Sequence, residues 1–139
     1  VVDYPRQEDC LGHDVYDLDG AGQMNPSVTV ATALEHARTD LADADAVLDL
    51  EVEIFTGLDC SSCGFQPVQP RPALIAEAGA AVCSRCGGTA VPRVSAALSE
   101  QLTPELLARS LDELGLPDHD VITARSARDR RHYILESTR

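Results

Sequence analysis

Three stretches of the chain carry regular alternations of apolar and polar positions, and they set the expected architecture. Over residues 27–42, Val30, Ala33, Leu34, Ala37 and Leu41 recur at three- and four-residue spacing, the period of one helix face. Ser27 precedes this run as the expected N-cap. Residues 47–54 then alternate strictly. Leu48, Leu50, Val52 and Ile54 fall on one side and Asp49, Glu51 and Glu53 on the other, the period of a half-buried strand. A second helix is expected from Thr103, with Pro104 at its first position, Leu106, Leu107, Leu111 and Leu114 along one face, and Gly115 and Pro117 ending it. Beyond it, Val121–Ala124 and Tyr133–Leu135 read as a hairpin around an Arg-rich turn.

The intervening segments are less regular. Gln66–Pro72 holds three prolines and predicts an extended, irregular connection, flanked by short strands at Ala73–Ala76 and Val91–Leu98. Residues 1–25 are polar, acidic and Gly-containing, and read as loop. Their Asp17-Leu18-Asp19-Gly20 piece fails as a calcium loop, because the register set by Gly20 puts Val15 and Pro26 where carboxylates are required. The expected class is α+β: a short helix and strand, a four-Cys zinc ribbon, then a helix and β-hairpin. The matching division is an acidic helix/strand segment over 1–58, the ribbon over 59–98 and the helix plus hairpin over 99–139.

The chemistry lies in the cysteines. Four of the five fall in two Cys-x-x-Cys-Gly units, Cys60-Ser61-Ser62-Cys63-Gly64 and Cys83-Ser84-Arg85-Cys86-Gly87. Two intervening residues let both sulfurs of a pair turn toward one ion, and the following Gly permits a tight knuckle. The 19 residues between Cys63 and Cys83 suit a four-thiolate zinc site. Cys60, Cys63, Cys83 and Cys86 are therefore the expected metal ligands, with zinc as the cofactor in a closed structural shell that leaves no position for water or substrate. An iron–sulfur cluster would accept the same ligands, a lone Cys-x-x-Cys could be a redox pair, and disulfides are a further reading. The odd count and the paired spacing favour metal ligation in a reducing cytoplasm. Cys10-Leu11-Gly12-His13 offers an alternative in which Cys10 and His13 join Cys60 and Cys63. As a nucleophile Cys10 is disfavoured, since Glu8, Asp9 and Asp14 would raise its pKa.

Composition narrows the functions available. The chain has 139 residues, 44% apolar but only 4% aromatic and without Trp, so its core must be aliphatic. The net charge of −12 is unevenly placed. Residues 1–59 hold fourteen Asp/Glu against Arg6 and Arg38, whereas residues 60–139 hold nine acids and nine Arg. An acidic half repels phosphate backbones, so nucleic acid is disfavoured as a partner. Arg125, Arg128, Arg130 and Arg131 read as a solvated turn. Lys is absent, which excludes Schiff-base chemistry, Ser-Lys catalysis and a phosphate-loop lysine. No apolar run has the length of a membrane span and no signal peptide opens the sequence. A first residue of Val implies processing or a piece of a longer protein, and the expected compartment is the cytoplasm.

The path from Gly22 through Asn25-Pro26-Ser27-Val28-Thr29-Val30, Ala33-Leu34-Glu35 and Leu48-Asp49-Leu50 to Leu58-Asp59-Cys60-Ser61-Ser62-Cys63-Gly64 resembles the C-terminal part of ThiF/MoeB/HesA-like adenylyltransferases of the ubiquitin-activating superfamily. The likeness covers residues 10–64. It implies a C-terminal piece of an ATP-dependent enzyme, with the ribbon, helix and hairpin as an appended module. The partner it implies is a ubiquitin-like protein or the rest of the parent enzyme. The family's Gly-rich nucleotide loop and adenylation residues have no counterpart here, so no catalytic or nucleotide-binding residue carries over. The second Cys pair also departs from the family's arrangement.

Two readings of function follow. The first is a non-catalytic zinc-binding module for structure or protein docking. The second is a small hydrolase using His119 or His132, in which Asp118 and Asp120 flank His119 and could orient its ring. A nucleic-acid-binding ribbon using Arg128 and Arg131 is a third.

Overall fold

The computed structural model describes residues 18–72 and 81–137. In chain order the elements are β1 (Gly22–Met24), α1 (Val30–Leu41), β2 (Val47–Cys60), β3 (Val68–Pro72), β4 (Ala81–Val82), β5 (Thr89–Leu98), α2 (Pro104–Leu107), β6 (Val121–Arg125) and β7 (Arg130–Leu135). The strands form one mixed sheet in the order β1-β7-β6-β2-β5-β4, with β3 also on β2. The architecture is α+β, as expected. The expected strand at Ala73–Ala76 lies outside the described residues, as do Cys10 and His13.

β2 is the spine. Along one edge it pairs with β5, and along the other with β6 over Val47–Leu50 and then with β3 over Ile54–Gly57. Its start carries the fold's main core and its end carries Cys60. Helix α1 lies over the sheet through Val30, Ala33, Leu34 and Ala37, all buried, against Leu48, Leu98, Ile122, Ala124, Tyr133 and Leu135. Leu106, Leu111, Leu114 and Leu116 close the same core. No helix among the described residues is long and apolar enough to cross a membrane.

Several local expectations are revised. The N-cap is Thr29, whose hydroxyl accepts from the Thr32 amide at 3.2 Å. Ser27 instead closes a turn in which its amide donates to Asn25 Oδ1. The second helix keeps its Thr103 cap and Pro104 start but has only four residues. Leu111 and Leu114 reach the core from following turns, because the backbone there bonds across to Pro26 and Val28 instead of continuing the helix. Strict alternation in β2 stops at Asp49. The β2–β5 register shifts between Asp49 and Ile54, so Val52 turns outward and is 41% exposed. Within the stretch read as loop, Gly22–Met24 is a strand laid parallel beside β7, the one parallel pairing among the described residues.

The charge asymmetry has a structural counterpart. Asp40 meets Arg131, Asp49 meets Arg125, Asp59 meets Arg93, and Arg38 meets Glu100. Each pair joins the acidic half to the balanced half. Tyr133, fully buried, donates from its hydroxyl to Asp40 Oδ2 at 2.8 Å and ties β7 to α1. Burial and that bond to a carboxylate push the Tyr133 phenol well above its ordinary range.

Candidate metal centre

The two Cys-x-x-Cys-Gly units fold into the same knuckle. In the first, the Cys60 amide donates to the Phe65 carbonyl at 3.0 Å and the Gly64 amide to the Cys60 carbonyl at 2.8 Å. In the second, the Cys83 amide donates to Gly88 at 2.8 Å and the Gly87 amide to Cys83 at 2.9 Å. Gly64 and Gly87 both adopt left-handed backbone, with φ of 68° and 71°. A Cβ at either would meet nothing within 4 Å, so backbone angle alone selects glycine there.

Neighbouring strands bring the knuckles together. β2 ends at Cys60 opposite Ala90 of β5, and Ala90 is also opposite Ala81 of β4, which delivers Cys83. Cys60, Cys83 and Ala90 are buried and pack with Leu58 and Phe65 as a second apolar cluster, separate from the main core. Beside it lies a cavity of about 200 Å³, lined by these residues with Pro67, Val82 and Ser84.

All four sulfurs lie within 4.8 Å of one another. The two measured separations run between knuckles: Cys60 to Cys86 at 3.5 Å and Cys63 to Cys83 at 3.7 Å. A tetrahedron with metal–sulfur bonds of about 2.3 Å has an edge of about 3.8 Å, so these spacings suit four ligands on one ion. They are far longer than the roughly 2.05 Å of a disulfide, and all four cysteines are free thiols. The structure thus positions four cysteines to hold a metal ion.

Electrostatics agrees with the geometry. The Cys63 amide, chiefly, pulls the Cys60 thiol down to about 6, assisted by the Cys86 side chain and the Ser62 amide. At Cys86 the Gly88 amide, 3.4 Å from the sulfur, favours the thiolate. The sulfurs of Cys60 and Cys63 oppose it more strongly and push Cys86 up to about 12. At Cys63 the Phe65 amide favours the thiolate, but burial and the Cys60 and Cys83 sulfurs outweigh it and raise the pKa. One thiolate forms readily and the next are resisted by its charge, a repulsion that a bound cation would relieve. Arg85, between the second pair, sits with its guanidinium 5.8 Å from the centre of the Phe65 ring.

Other residues singled out from the sequence go elsewhere. His119 is exposed in a turn with φ of 69°. Its neighbours are occupied: Asp118 accepts from the Ser137 amide and hydroxyl, and Asp120 from the Val121 amide. His132 Nδ1 meets the Thr123 hydroxyl at 2.9 Å across the hairpin. Arg125 holds Asp49 bidentately and Arg131 reaches Asp40, while Arg128 and Arg130 are exposed. Sequence reasoning missed Phe65 and Ala90, which pack against Cys60 and Cys83. Only their position beside a Cys or across a strand from one could have signalled them. No family model, curated protein or solved structure matches the chain.

Proposed function

We propose that this chain is a structural zinc module, in which one zinc ion bound by Cys60, Cys63, Cys83 and Cys86 fastens the far end of a mixed sheet, leaving that end to dock a protein partner. The observation that carries the reading is the cluster of four sulfurs at near-tetrahedral spacing. Zinc fits best by chemistry, because it takes an all-thiolate tetrahedron without redox change. Four protein ligands fill that shell, so the ion has no position for a reacting group, and its role is to hold β2, β4 and β5 together. Docking is supported by Val82 and Val91, which flank the centre at 65% and 59% exposure. The motif likeness to ThiF-like enzymes further suggests a ubiquitin-like partner or the remainder of such an enzyme.

The test is metal analysis of the purified chain. One zinc per chain is expected, lost together with order over residues 58–67 and 81–92 on Cys83→Ser. Unchanged metal content in that variant would remove the assignment. Titration with a labelled ubiquitin-like protein tests the partner separately, and absence of binding would sink that part alone.

A further inference from the structure

The centre is asymmetric in a way that four equivalent ligands do not require. Cys60 and Cys83 are buried, whereas Cys63 and Cys86 are exposed. Each short contact between knuckles joins one of each kind: buried Cys60 with exposed Cys86 at 3.5 Å, and exposed Cys63 with buried Cys83 at 3.7 Å. Each exposed cysteine therefore has a buried one within a short side-chain movement of a covalent bond.

We infer that Cys86 and Cys63 are oxidation sites, and that a peroxide converts the metal centre into cross-knuckle disulfides Cys60–Cys86 and Cys63–Cys83 with loss of the ion. The inference rests on the proposed metal reading. In the first step Cys86, held as a thiolate by the bound ion, attacks the peroxide, the O–O bond breaks, and the sulfur becomes a sulfenic acid as hydroxide leaves. Cys60 then attacks that sulfur. The S–S bond forms, the S–O bond breaks, and a second hydroxide departs to be protonated to water. Two thiolates lose one electron each and one peroxide gains two. With two of four ligands gone the ion has no closed shell and dissociates, and a second peroxide oxidises Cys63 and Cys83 by the same steps.

Proximity decides the pairing, since the sulfur contacts of 3.5 and 3.7 Å both run between knuckles. Oxidation within a knuckle would also join a buried to an exposed sulfur, but it would leave two intact halves and no covalent link between β2 and the β4–β5 turn. The cross-knuckle pattern preserves the clasp. It exchanges a metal staple for a disulfide one, and a thiol reductant with fresh metal reverses it.

The experiment is titration of the zinc-loaded chain with hydrogen peroxide, following released zinc with a chromogenic chelator and mapping disulfides by mass spectrometry. Digestion with trypsin and chymotrypsin, cutting after Arg85 and Phe65, separates the two knuckles and splits the second. One zinc should leave per chain, and the peptide holding both Cys60 and Cys63 should be linked to the Cys83 and Cys86 peptides, with fragment ions placing Cys86 on Cys60 and Cys83 on Cys63; the swapped pairs Cys60–Cys83 and Cys63–Cys86 would overturn the inference. Zinc retained under peroxide, or links confined to Cys60–Cys63 and Cys83–Cys86, would overturn the inference. A Cys10→Ser chain should behave identically, and dependence of release on Cys10 would also overturn it. A chain that binds no zinc would defeat the metal reading instead, while the disulfide map of that same metal-free chain would still decide the pairing.

Discussion

Removing the proposed zinc should melt one end of this protein and leave the other folded, because the apolar clusters around the cysteines and under α1 are separate. The end that depends on metal comprises about twenty residues, 58–67 and 81–92. At roughly 1 kcal/mol each, ordering their backbone costs about 20 kcal/mol. Leu58, Phe65 and Ala90 are the apolar side chains that pack there with the cysteines, and their partial burial returns at most about 5 kcal/mol. The four knuckle bonds and the ladder from Leu58 to Cys60 and from Ala81 to Val82 add about 4 kcal/mol at roughly 0.5 kcal/mol each. A deficit of about 11 kcal/mol remains, within the roughly 10–16 kcal/mol that structural zinc supplies to small thiolate sites.

Hydrogen exchange with and without a chelator measures this directly. The amides of Cys60, Gly64, Cys83, Gly87 and Gly88 should lose protection on chelation. Those of Leu48, Ile122, Tyr133 and Leu135 should keep it, since their burial owes nothing to the sulfurs. The boundary should fall near the register shift between Phe55 and Gly57, where the ladder is already interrupted. Two outcomes would refute the reasoning: loss of protection across the whole sheet, or no change at Cys60 and Cys83.

Other perturbations test the supports of this arrangement. A Cβ at Gly57 would lie 2.2 Å from the Pro67 carbonyl oxygen and 2.8 Å from Arg93 Nη2. Gly57→Ala should therefore displace the Pro67 connection, cost about 1–3 kcal/mol and weaken zinc binding; a melting temperature and zinc affinity equal to the parent's would count against the close approach. Tyr133→Phe removes a buried donor to Asp40, which keeps His36 and Arg131 as neighbours. The expected loss is about 1–2 kcal/mol by urea denaturation, and a change under about 0.5 kcal/mol would show the bond to be dispensable. The pH dependence of zinc binding follows from the thiols. Cys63 and Cys86 are raised and must lose their protons to bind metal, so affinity falls as pH falls, with Cys60 adding to the loss only as pH drops through about 6. Calorimetry at neutral pH in two buffers of different ionisation enthalpy should detect proton release, and buffer-independent heats would contradict it.

The cluster of four cysteines was legible in the sequence because its signal is local. Spacing within each Cys-x-x-Cys-Gly unit and the left-handed angle that glycine permits fix the knuckle before any long-range contact forms. Helix α1 was legible for a similar reason, since the stripe of Val30, Ala33, Leu34 and Ala37 needs only periodicity. What the sequence hid was non-local. Gly22–Met24 is too short to announce itself, and becomes a strand because β7, more than a hundred residues on, offers it an edge. Val52 turns outward because the partner strand is shorter than β2 over that stretch, a fact that belongs to β5.

Charge shows most clearly where reading a sequence stops. That acids gather in the first half and arginines in the second is visible in the composition, yet its sense comes from the pairs that the fold makes. Asp40, Asp49 and Asp59 each meet an Arg from the other half, two of them in the cluster that read as a solvated turn. These pairs are partly exposed, and pairs of that kind contribute only about 0.2–1 kcal/mol each. They do not hold the sheet together. Their value is in register: a slip of one residue between β2 and β6 would turn Asp49 to the opposite face from Arg125 and set Leu48 facing solvent. The core already penalises that slip, and the ion pair opposes it at the sheet's other face. Correct register between β2 and its partners in turn carries Cys60 to Ala90, beside the strand that brings Cys83, so the long-range charge pattern and the local cysteine pattern serve the same end of the molecule.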